Sequence, residues 1–211
     1  MRRLWTVLLL LAFCACRQDN TLLYQVTALG QSQEGHIVTD EGLVFHIGEQ
    51  TCPGQIDTMK RVYFTCDVLR QRADRSYDIR LTALQAPLTK APLLQSETPP
   101  ETVLGEDPID LSRAWFSGAY LNLQFRIPSD GRQTVHRLNL LWNDTAARDS
   151  IRLRFFHDDQ LAEPLKDTTE WLQGLVCFDT APFLPAPGTA LPVRLEWHTG
   201  RPVSTIGYLK N

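Results

Sequence analysis

Histidines and acidic residues are the side chains of this sequence best suited to metal binding or proton transfer. The five histidines stand at positions 36, 46, 136, 157 and 198, and none has the paired spacing that zinc sites use. The tightest polar cluster is His157-Asp158-Asp159, whose two carboxylates could supply oxygen ligands to a calcium ion. Two adjacent acids after a strand are more typical of a solvated loop, so the sequence predicts no metal and no cofactor.

The sequence lacks the common motifs of enzymes, so it gives little support for catalysis. The sequence has no Gly-x-Ser-x-Gly, His-Glu-x-x-His, Gly-x-x-x-x-Gly-Lys-Ser/Thr or Gly-x-Gly-x-x-Gly motif. The carboxylate pair of a glycoside hydrolase can come from distant strands, and nothing in the sequence selects such a pair. We therefore predict a non-catalytic protein, with a carbohydrate-active protein as the alternative.

The first residues have the pattern of a secretory signal. Arg2 and Arg3 precede an apolar run over residues 4–13, which is too short to span a membrane, and Cys14-Ala15-Cys16 follows. The pattern resembles a bacterial lipoprotein signal, in which a cysteine after a small residue is lipidated and becomes the first residue. Ala15 precedes Cys16, whereas bulky Phe13 precedes Cys14, so lipidation is predicted at Cys16. The alternative is a secretory signal without lipid.

Removal of residues 1–15 leaves 196 residues, and the loss of Arg2 and Arg3 lowers the basic count from 21 to 19 against 24 acids. The resulting net charge of −5 argues against nucleic acid as a partner. Attachment to the membrane would come from the acyl chains on Cys16, since each buried CH₂ contributes about 0.8 kcal/mol. We expect an outer-membrane lipoprotein, facing either the periplasm or the exterior, with residues 16–21 as its tether.

Three cysteines would remain after lipidation, at positions 52, 66 and 177. An odd number in an oxidising compartment permits at most one bridge within the chain. A disulfide between Cys52 and Cys66 would close a loop of about 15 residues and contribute roughly 3 kcal/mol. The alternative is that all three are small packed residues.

Hydrophobic residues make up 43% of the chain and charged residues 21%, as in folded globular proteins. From residue 22 the apolar residues alternate with a period of two, which predicts strands at 22–29, 36–39, 43–47, 61–69 and 77–84. Asp40-Glu41-Gly42 is the best hairpin signal. Five short strands over 22–86 favour a small closed barrel, because closure removes exposed edges.

Five prolines between residues 87 and 108 interrupt this pattern. Proline disfavours pairing, so we predict a linker over 87–108 that separates two independently packed domains. Alternation returns over 109–211 with six or seven strands, the number of a β-sandwich. Trp142 and Trp197 share the parity of apolar neighbours and are expected in its core. A single helical turn is predicted over residues 167–173.

Several short motifs carry a resemblance to a known family. They are residues 39–43 (TDEGL), 60–63 (KRVY), 110–123 (DLSRAWFSGAYLNL), 136–140 (HRLNL), 149–157 (DSIRLRFFH) and 174–179 (GLVCFD). Together they resemble the NigD-like lipoproteins of Bacteroides and Prevotella relatives. The resemblance implies an OB-like first domain, a β-sandwich second domain and a role of the kind proposed for bacteriocin-immunity proteins.

Trp115, Tyr120 and Asn122 are the candidate ligand contacts of the second domain. Two aromatics beside Ser117-Gly118 would sit at a corner between strands, where packing is the first explanation and binding the second. Exposure of Trp115, Tyr120 and Trp171 on one open face would favour a glycan ligand, whereas burial would favour a structural role. The favoured function is binding or protection, with an unidentified envelope macromolecule as partner and a glycan-binding module as the alternative.

Overall fold

Fourteen strands and two short 3-10 helices make up the secondary structure of the described residues. The computed structural model describes residues 21–100, 102–129, 135–145, 150–160, 170–198 and 202–210. The strands are β1 (Thr21–Gln33), β2 (His36–Thr39), β3 (Val44–Gln50), β4 (Arg61–Gln71), β5 (Tyr77–Gln85), β6 (Leu88–Lys90), β7 (Leu93–Leu94), β8 (Asp110–Ser117), β9 (Tyr120–Ser129), β10 (Arg137–Trp142), β11 (Ile151–Asp158), β12 (Glu170–Asp179), β13 (Ala190–His198) and β14 (Pro202–Lys210). The 3-10 helices are Ile56–Thr58 and Ala181–Phe183.

Strands β1 to β5 form a closed barrel in the order β1-β2-β3-β5-β4. Neighbouring strands are antiparallel except β3 and β5, which run parallel. A five-stranded barrel of this kind matches the predicted OB-like domain. The barrel interior is filled by nine buried apolar side chains, which are Ile37, Phe45, Ile56, Val62, Phe64, Cys66, Val68, Ile79 and Leu81.

The turn between β2 and β3 has the geometry that its acidic sequence predicts. Gly42 adopts a φ of +83°, a left-handed conformation that a side chain would strain. Its N–H donates to the carbonyl of Thr39, and the Thr39 hydroxyl accepts a 3.1 Å bond from the N–H of Leu43. These bonds hold Asp40 in a defined position at the end of the barrel.

The remaining strands form a β-sandwich of two sheets. One sheet has the order β14-β13-β11-β10-β7, and the other has the order β6-β12-β9-β8. Alternation along β9 places Leu121 and Leu123 in the core and Gln124 on the outer face, as the sequence predicts. Trp142 is buried in this core and Trp197 packs against it. The seven strands β8 to β14 confirm the predicted sandwich.

Residues 87–94 differ from the predicted linker, because they contain two strands. Leu88 of β6 pairs in parallel with Val176 of β12, and Leu93 of β7 pairs in parallel with Leu141 of β10. The prolines at 87 and 92 stand before β6 and β7 and so leave their ladders intact. The segment adds an edge strand to each sheet of the sandwich. Division of the chain into separately packed domains within 87–108 stays a prediction.

The helical turn predicted over residues 167–173 is wrong where the structure describes it. Residues 167–169 lie outside the described residues, and β12 begins at Glu170. Gln173 pairs with Arg126 and Trp171 with Pro128, so pairing with β9 outweighs the local preference for a capped turn. No helix within the described ranges has the length and hydropathy that a membrane span requires.

All three described cysteines are free, so the bridge proposed between Cys52 and Cys66 is not formed. Cys66 lies in the middle of β4, opposite Val26, and its side chain is fully buried in the barrel. Cys52 is half-buried in the loop after β3 and packs against the barrel core without a bond to Cys66. The alternative of small packed thiols describes these residues.

We expect iodoacetamide at pH 8 to modify Cys52 in the native chain while leaving Cys66 and Cys177 unmodified. Burial raises the pKa of Cys66 to about 11, and burial also raises the pKa of Cys177, so little thiolate forms at either residue. Peptide mass spectrometry gives the extent of modification of each cysteine. In urea all three should react, and rapid native labelling of Cys66 would contradict the prediction.

Candidate functional site

Residues from both domains meet at one buried polar junction. Asp40 comes from the turn between β2 and β3, and Arg61 is the first residue of β4. Trp115 of β8 and Asn122 of β9 come from the outer face of the four-stranded sheet, directly opposite each other in the ladder. We call Asp40, Arg61, Trp115 and Asn122 the junction. It joins sequence motifs that are far apart along the chain.

The centre of the junction is a bidentate ion pair between Arg61 and Asp40. Arg61 Nη1 donates to Asp40 Oδ1 at 2.7 Å, and Nη2 donates to Oδ2 at 2.9 Å. Arg61 Nη2 also donates to Asn122 Oδ1 at 2.8 Å. The barrel therefore supplies both charges of the pair, and Arg61 also bonds Asn122 of the sandwich directly.

Two side chains of the sandwich donate hydrogen bonds to Asp40. Trp115 Nε1 donates to Asp40 Oδ2 at 2.9 Å, and Asn122 Nδ2 donates to the same oxygen at 3.2 Å. Asn122 Nδ2 also lies 3.4 Å from the carbonyl oxygen of Trp115. Each polar group of the Asn122 amide thus has a partner, as a buried amide requires.

The ion pair at the centre of the junction is almost completely shielded from water. The side chains of Arg61 and Asp40 are 0% and 4% exposed. Burial by itself lowers the pKa of Arg61, but the hydrogen bonds and charge of Asp40 outweigh this effect and raise the pKa above its usual value. The guanidinium lies 4.9 Å from the centre of the Tyr120 ring, which adds a cation–π contact. Arg61 therefore stays charged at any physiological pH.

Apolar side chains surround the polar atoms. Leu29 of the barrel is buried against Tyr120 and Cys177 of the sandwich, and Trp115 and Leu175 pack around them. Burial raises the pKa of Tyr120, so its phenol stays neutral. This small cluster is separate from the cores of the barrel and the sandwich, and it closes the contact between them.

Beside the junction, the barrel and the four-stranded sheet enclose a cleft of about 500 Å³. Its barrel wall includes Glu41, Tyr63 and Gln85, and its sandwich wall includes Leu88, Arg113, Gln124 and Gln173. Asp40 and Trp115 also line it. Because Asp40 already accepts from Arg61, Trp115 and Asn122, its carboxylate is poorly suited to act as a general base. The lining is suited to hydrogen bonding and apolar contact.

The structure places two of the predicted ligand contacts of the second domain, Trp115 and Asn122, in the junction and the third, Tyr120, beside it. Asn122 is completely buried, Tyr120 is buried, and Trp115 is half-buried with its indole nitrogen bonded to Asp40. Trp171 is 54% exposed and packs under Arg126, which lies 5.6 Å from the centre of its ring. These three aromatics therefore do not share one open face.

Sequence reasoning missed the pairing of Asp40 with Arg61 and the residues that line the cleft. The signal for the pair was present, because an acidic turn and a basic strand start both belong to the motifs that carry the family resemblance. For Gln124, alternation predicts the correct outer face. It gave no information on the barrel packed against part of that face.

Asp158 and Asp159, for which the sequence favours a solvated loop over a calcium site, lie elsewhere, near the end of β11, and Asp107 lies beside them. Asp107, Asp158 and Asp159 bring carboxylate oxygens within 4.8 Å of one another. Asp107 accepts from the N–H of Asp159 at 2.8 Å, and Asp158 accepts from the N–H of Gln160 at 2.8 Å. Both carboxylates thus bind loop backbone.

His157 is buried next to these acids. Its Nδ1 lies 3.2 Å from the carbonyl oxygen of Pro108, so this nitrogen carries the proton, and its Nε2 accepts from Nδ1 of His136 at 3.0 Å. Burial first, and the neighbouring His136 second, lower the pKa of His157. The pair links β11 to the segment before β8 and has a structural role.

Comparison with known proteins identifies the second domain. Residues 91–201 match the family model of the NigD-like C-terminal beta sandwich domain. The match covers more than half of the chain and begins within the segment that contains β7. Among curated proteins, none matches this sequence.

Solved structures share the fold over both domains. A candidate toxin-related protein from Parabacteroides distasonis superposes with a TM-score of 0.71 at 18% identity, covering 89% of this chain and 94% of that chain. A NigD-like immunity protein from Bacteroides caccae gives 0.64 at 14% identity, covering 87% and 92%. A candidate lipoprotein from Bacteroides fragilis gives 0.60 at 11% identity, covering 89% and 98%. At these identities the likeness shows the fold.

We expect Arg61→Met to lower the free energy of unfolding by about 3–5 kcal/mol, because it leaves the carboxylate of Asp40 buried without its counter-charge. The matched control is Arg70→Met, which removes a 63% exposed arginine paired with Asp78 and should cost about 1 kcal/mol or less. Urea unfolding followed by tryptophan fluorescence measures both. Equal effects of the two substitutions would show that the buried pair contributes no more to stability than an exposed pair.

Proposed function

This chain belongs to the NigD-like family, and we propose that it is a non-catalytic, lipid-anchored protein of the cell envelope that recognises another protein. A protective role of the immunity type is one form of this function. It is suggested by the similar structure from Bacteroides caccae, which is a NigD-like immunity protein. The single observation that carries the proposal is the buried junction, which fixes two β domains on either side of a cleft.

The junction supports recognition because it makes the two walls of the cleft one unit. Separation of the barrel from the sandwich would break the three hydrogen bonds that Asn122 and Trp115 make with the charged groups of Arg61 and Asp40, and hydrogen bonds to charged groups are the stronger ones. A binding surface formed by preorganised walls loses less conformational freedom when a partner binds. The hydrogen bonds of the junction therefore fix the relative position of the two walls, and a recognition surface requires walls in fixed positions.

The same contacts argue for binding over catalysis. The lining of the cleft has two carboxylates, and Asp40 is bonded to three donors while Glu41 is exposed. Inverting and retaining glycosidases need two carboxylates free to face a sugar. Here only one of the two is available, so the cleft is better suited to hold a partner than to cleave a glycosidic bond.

Burial of the predicted aromatics favours protein over glycan as partner. A sugar-binding platform needs open ring faces, and Tyr120 is buried beside the junction while Trp115 is half-buried with Arg113 over its ring. Trp171 is exposed and covered in part by Arg126. A glycan-binding module is thus the less favoured form of the proposed function.

The lipid anchor rests on the signal sequence and on a structural relative. Cys16 lies outside the described residues, and β1 begins at Thr21. The similar structure from Bacteroides fragilis is a candidate lipoprotein. Because an extended chain spans about 3.5 Å per residue, a lipidated Cys16 would keep the barrel within roughly 20 Å of the membrane surface.

We expect the wild-type chain to incorporate a labelled fatty acid such as palmitate in its own cells, and a Cys16→Ala chain to incorporate none. Cys14→Ala is the matched control and should retain the label, because Phe13 rather than a small residue precedes Cys14. Fractionation should place the labelled protein in the membrane. Label retained by Cys16→Ala would refute the assignment of the anchor.

We expect the tagged wild-type chain to capture the same protein from its own envelope fraction in independent preparations, and that protein to bind the purified chain directly. Arg61→Met should weaken this binding because it loosens the cleft, whereas Arg70→Met should bind like the wild type. Glycan-array binding that is lost in a folded Trp115→Ala chain, with no protein captured, would overturn the proposal.

A further inference from the structure

We propose that the cleft between the barrel and the four-stranded sheet binds an extended polypeptide segment that carries one apolar side chain. This inference rests on the proposed function and names the part of the partner that the chain would recognise. It is carried by three features of the cleft: unpaired amides at a strand-like spacing, an exposed apolar patch, and opposite charges on the two walls.

The amides are the side chains of Gln124 and Gln173 on the sandwich and Gln85 on the barrel. All three line the cleft and are exposed. None of these amides makes a hydrogen bond to any other part of the chain that the structure describes. Each offers a carbonyl oxygen that accepts and an NH₂ group that donates, so each can bond the N–H or the C=O of a peptide backbone.

The spacing of two of these amides matches an extended chain. In the ladder between β9 and β12, Gln124 is opposite Leu175, so Gln173 is its diagonal neighbour on the same face. Diagonal neighbours across antiparallel strands are about 7–8 Å apart. An extended peptide presents the same side of its backbone every two residues, which is about 6.8 Å. Gln124 and Gln173 can therefore each bond a backbone group on one side of an extended segment.

The apolar patch lies on the same cleft. Leu88 is 50% exposed, and Tyr63 on the barrel wall is 41% exposed. Pro87 and Leu175 line the cleft beside them and are half-buried. Burial of one apolar side chain of a partner here would remove these surfaces from water. The patch gives the segment a fixed register relative to the amides.

Charges of opposite sign stand on the two walls. Arg113 belongs to the sandwich wall and Glu41 to the barrel wall, and both are exposed. The charge of Asp40, which also lines the cleft, is paired with Arg61, so the two exposed charges balance and the cleft does not select a polyanion. A polypeptide with an acidic side chain near Arg113 and a basic side chain near Glu41 would pair with both charges.

The same residues disfavour a saccharide in the cleft. The guanidinium of Arg113 lies 4.6 Å from the centre of the Trp115 ring, and Trp115 Nε1 is bonded to Asp40. One ring face and the polar edge of this tryptophan are therefore already occupied. An extended polypeptide does not depend on stacking against Trp115.

The test is selection of random twelve-residue peptides displayed on phage against the purified full chain, followed by affinity measurements on the selected synthetic peptides. We expect the Gln124→Ala/Gln173→Ala double variant to bind them at least tenfold more weakly. Ala86→Trp, which fills the cleft from an exposed lining position, should do the same. Gln33→Ala, at an exposed position outside the cleft, should bind like the wild type.

Thermal melting of each variant serves as the control for folding, so that weaker binding by a folded variant is attributable to the cleft. Peptides that bind all variants as tightly as the wild type would overturn the inference and leave the proposed protein recognition intact at another surface. Failure to select any peptide would overturn it as well. Oligosaccharide binding that Ala86→Trp abolishes would overturn both this inference and the preference for a protein partner.

Discussion

The ion pair between Arg61 and Asp40 is the constraint on which the arrangement of this protein depends. Two charges with almost no contact with water are tolerable only if the polar atoms around them are matched, and in this pair all except the buried Arg61 Nε have a partner. The barrel cannot supply that matching alone, because Asn122 and Trp115 of the sandwich provide the remaining partners. Each domain therefore completes the polar environment of the other.

This dependence explains why the junction residues are chemically unlike the cores on either side. The cores of the barrel and the sandwich are apolar and specify each domain through packing. An apolar contact between domains would permit small rotations at little cost, whereas the bonds around Asp40 are directional. Polar atoms at this position thus fix orientation, and orientation determines the width and lining of the cleft.

The sequence predicted the two β architectures well, because alternation reports on the nearest core. Along β9 it assigned Leu123 and Gln124 to the correct faces. It could not assign Asn122 and Gln124 to different environments, although one is buried in the junction and the other lines the cleft, since both have the same parity. The prolines near β6 and the polar start of β12 also misled the prediction, because their pairing depends on strands that are distant in sequence.

The short strands β6 and β7 have a consequence for the order in which the chain acquires its structure. Every strand of the barrel has been synthesised by Gln85, whereas Leu88 must wait for Val176 and Leu93 for Leu141. Pairings between such distant residues carry a large loop-closure cost and form late. During synthesis the barrel is thus followed by a segment in which Leu88 and Leu93 have no partner strand, and unpaired strand edges of this kind favour aggregation or chaperone binding.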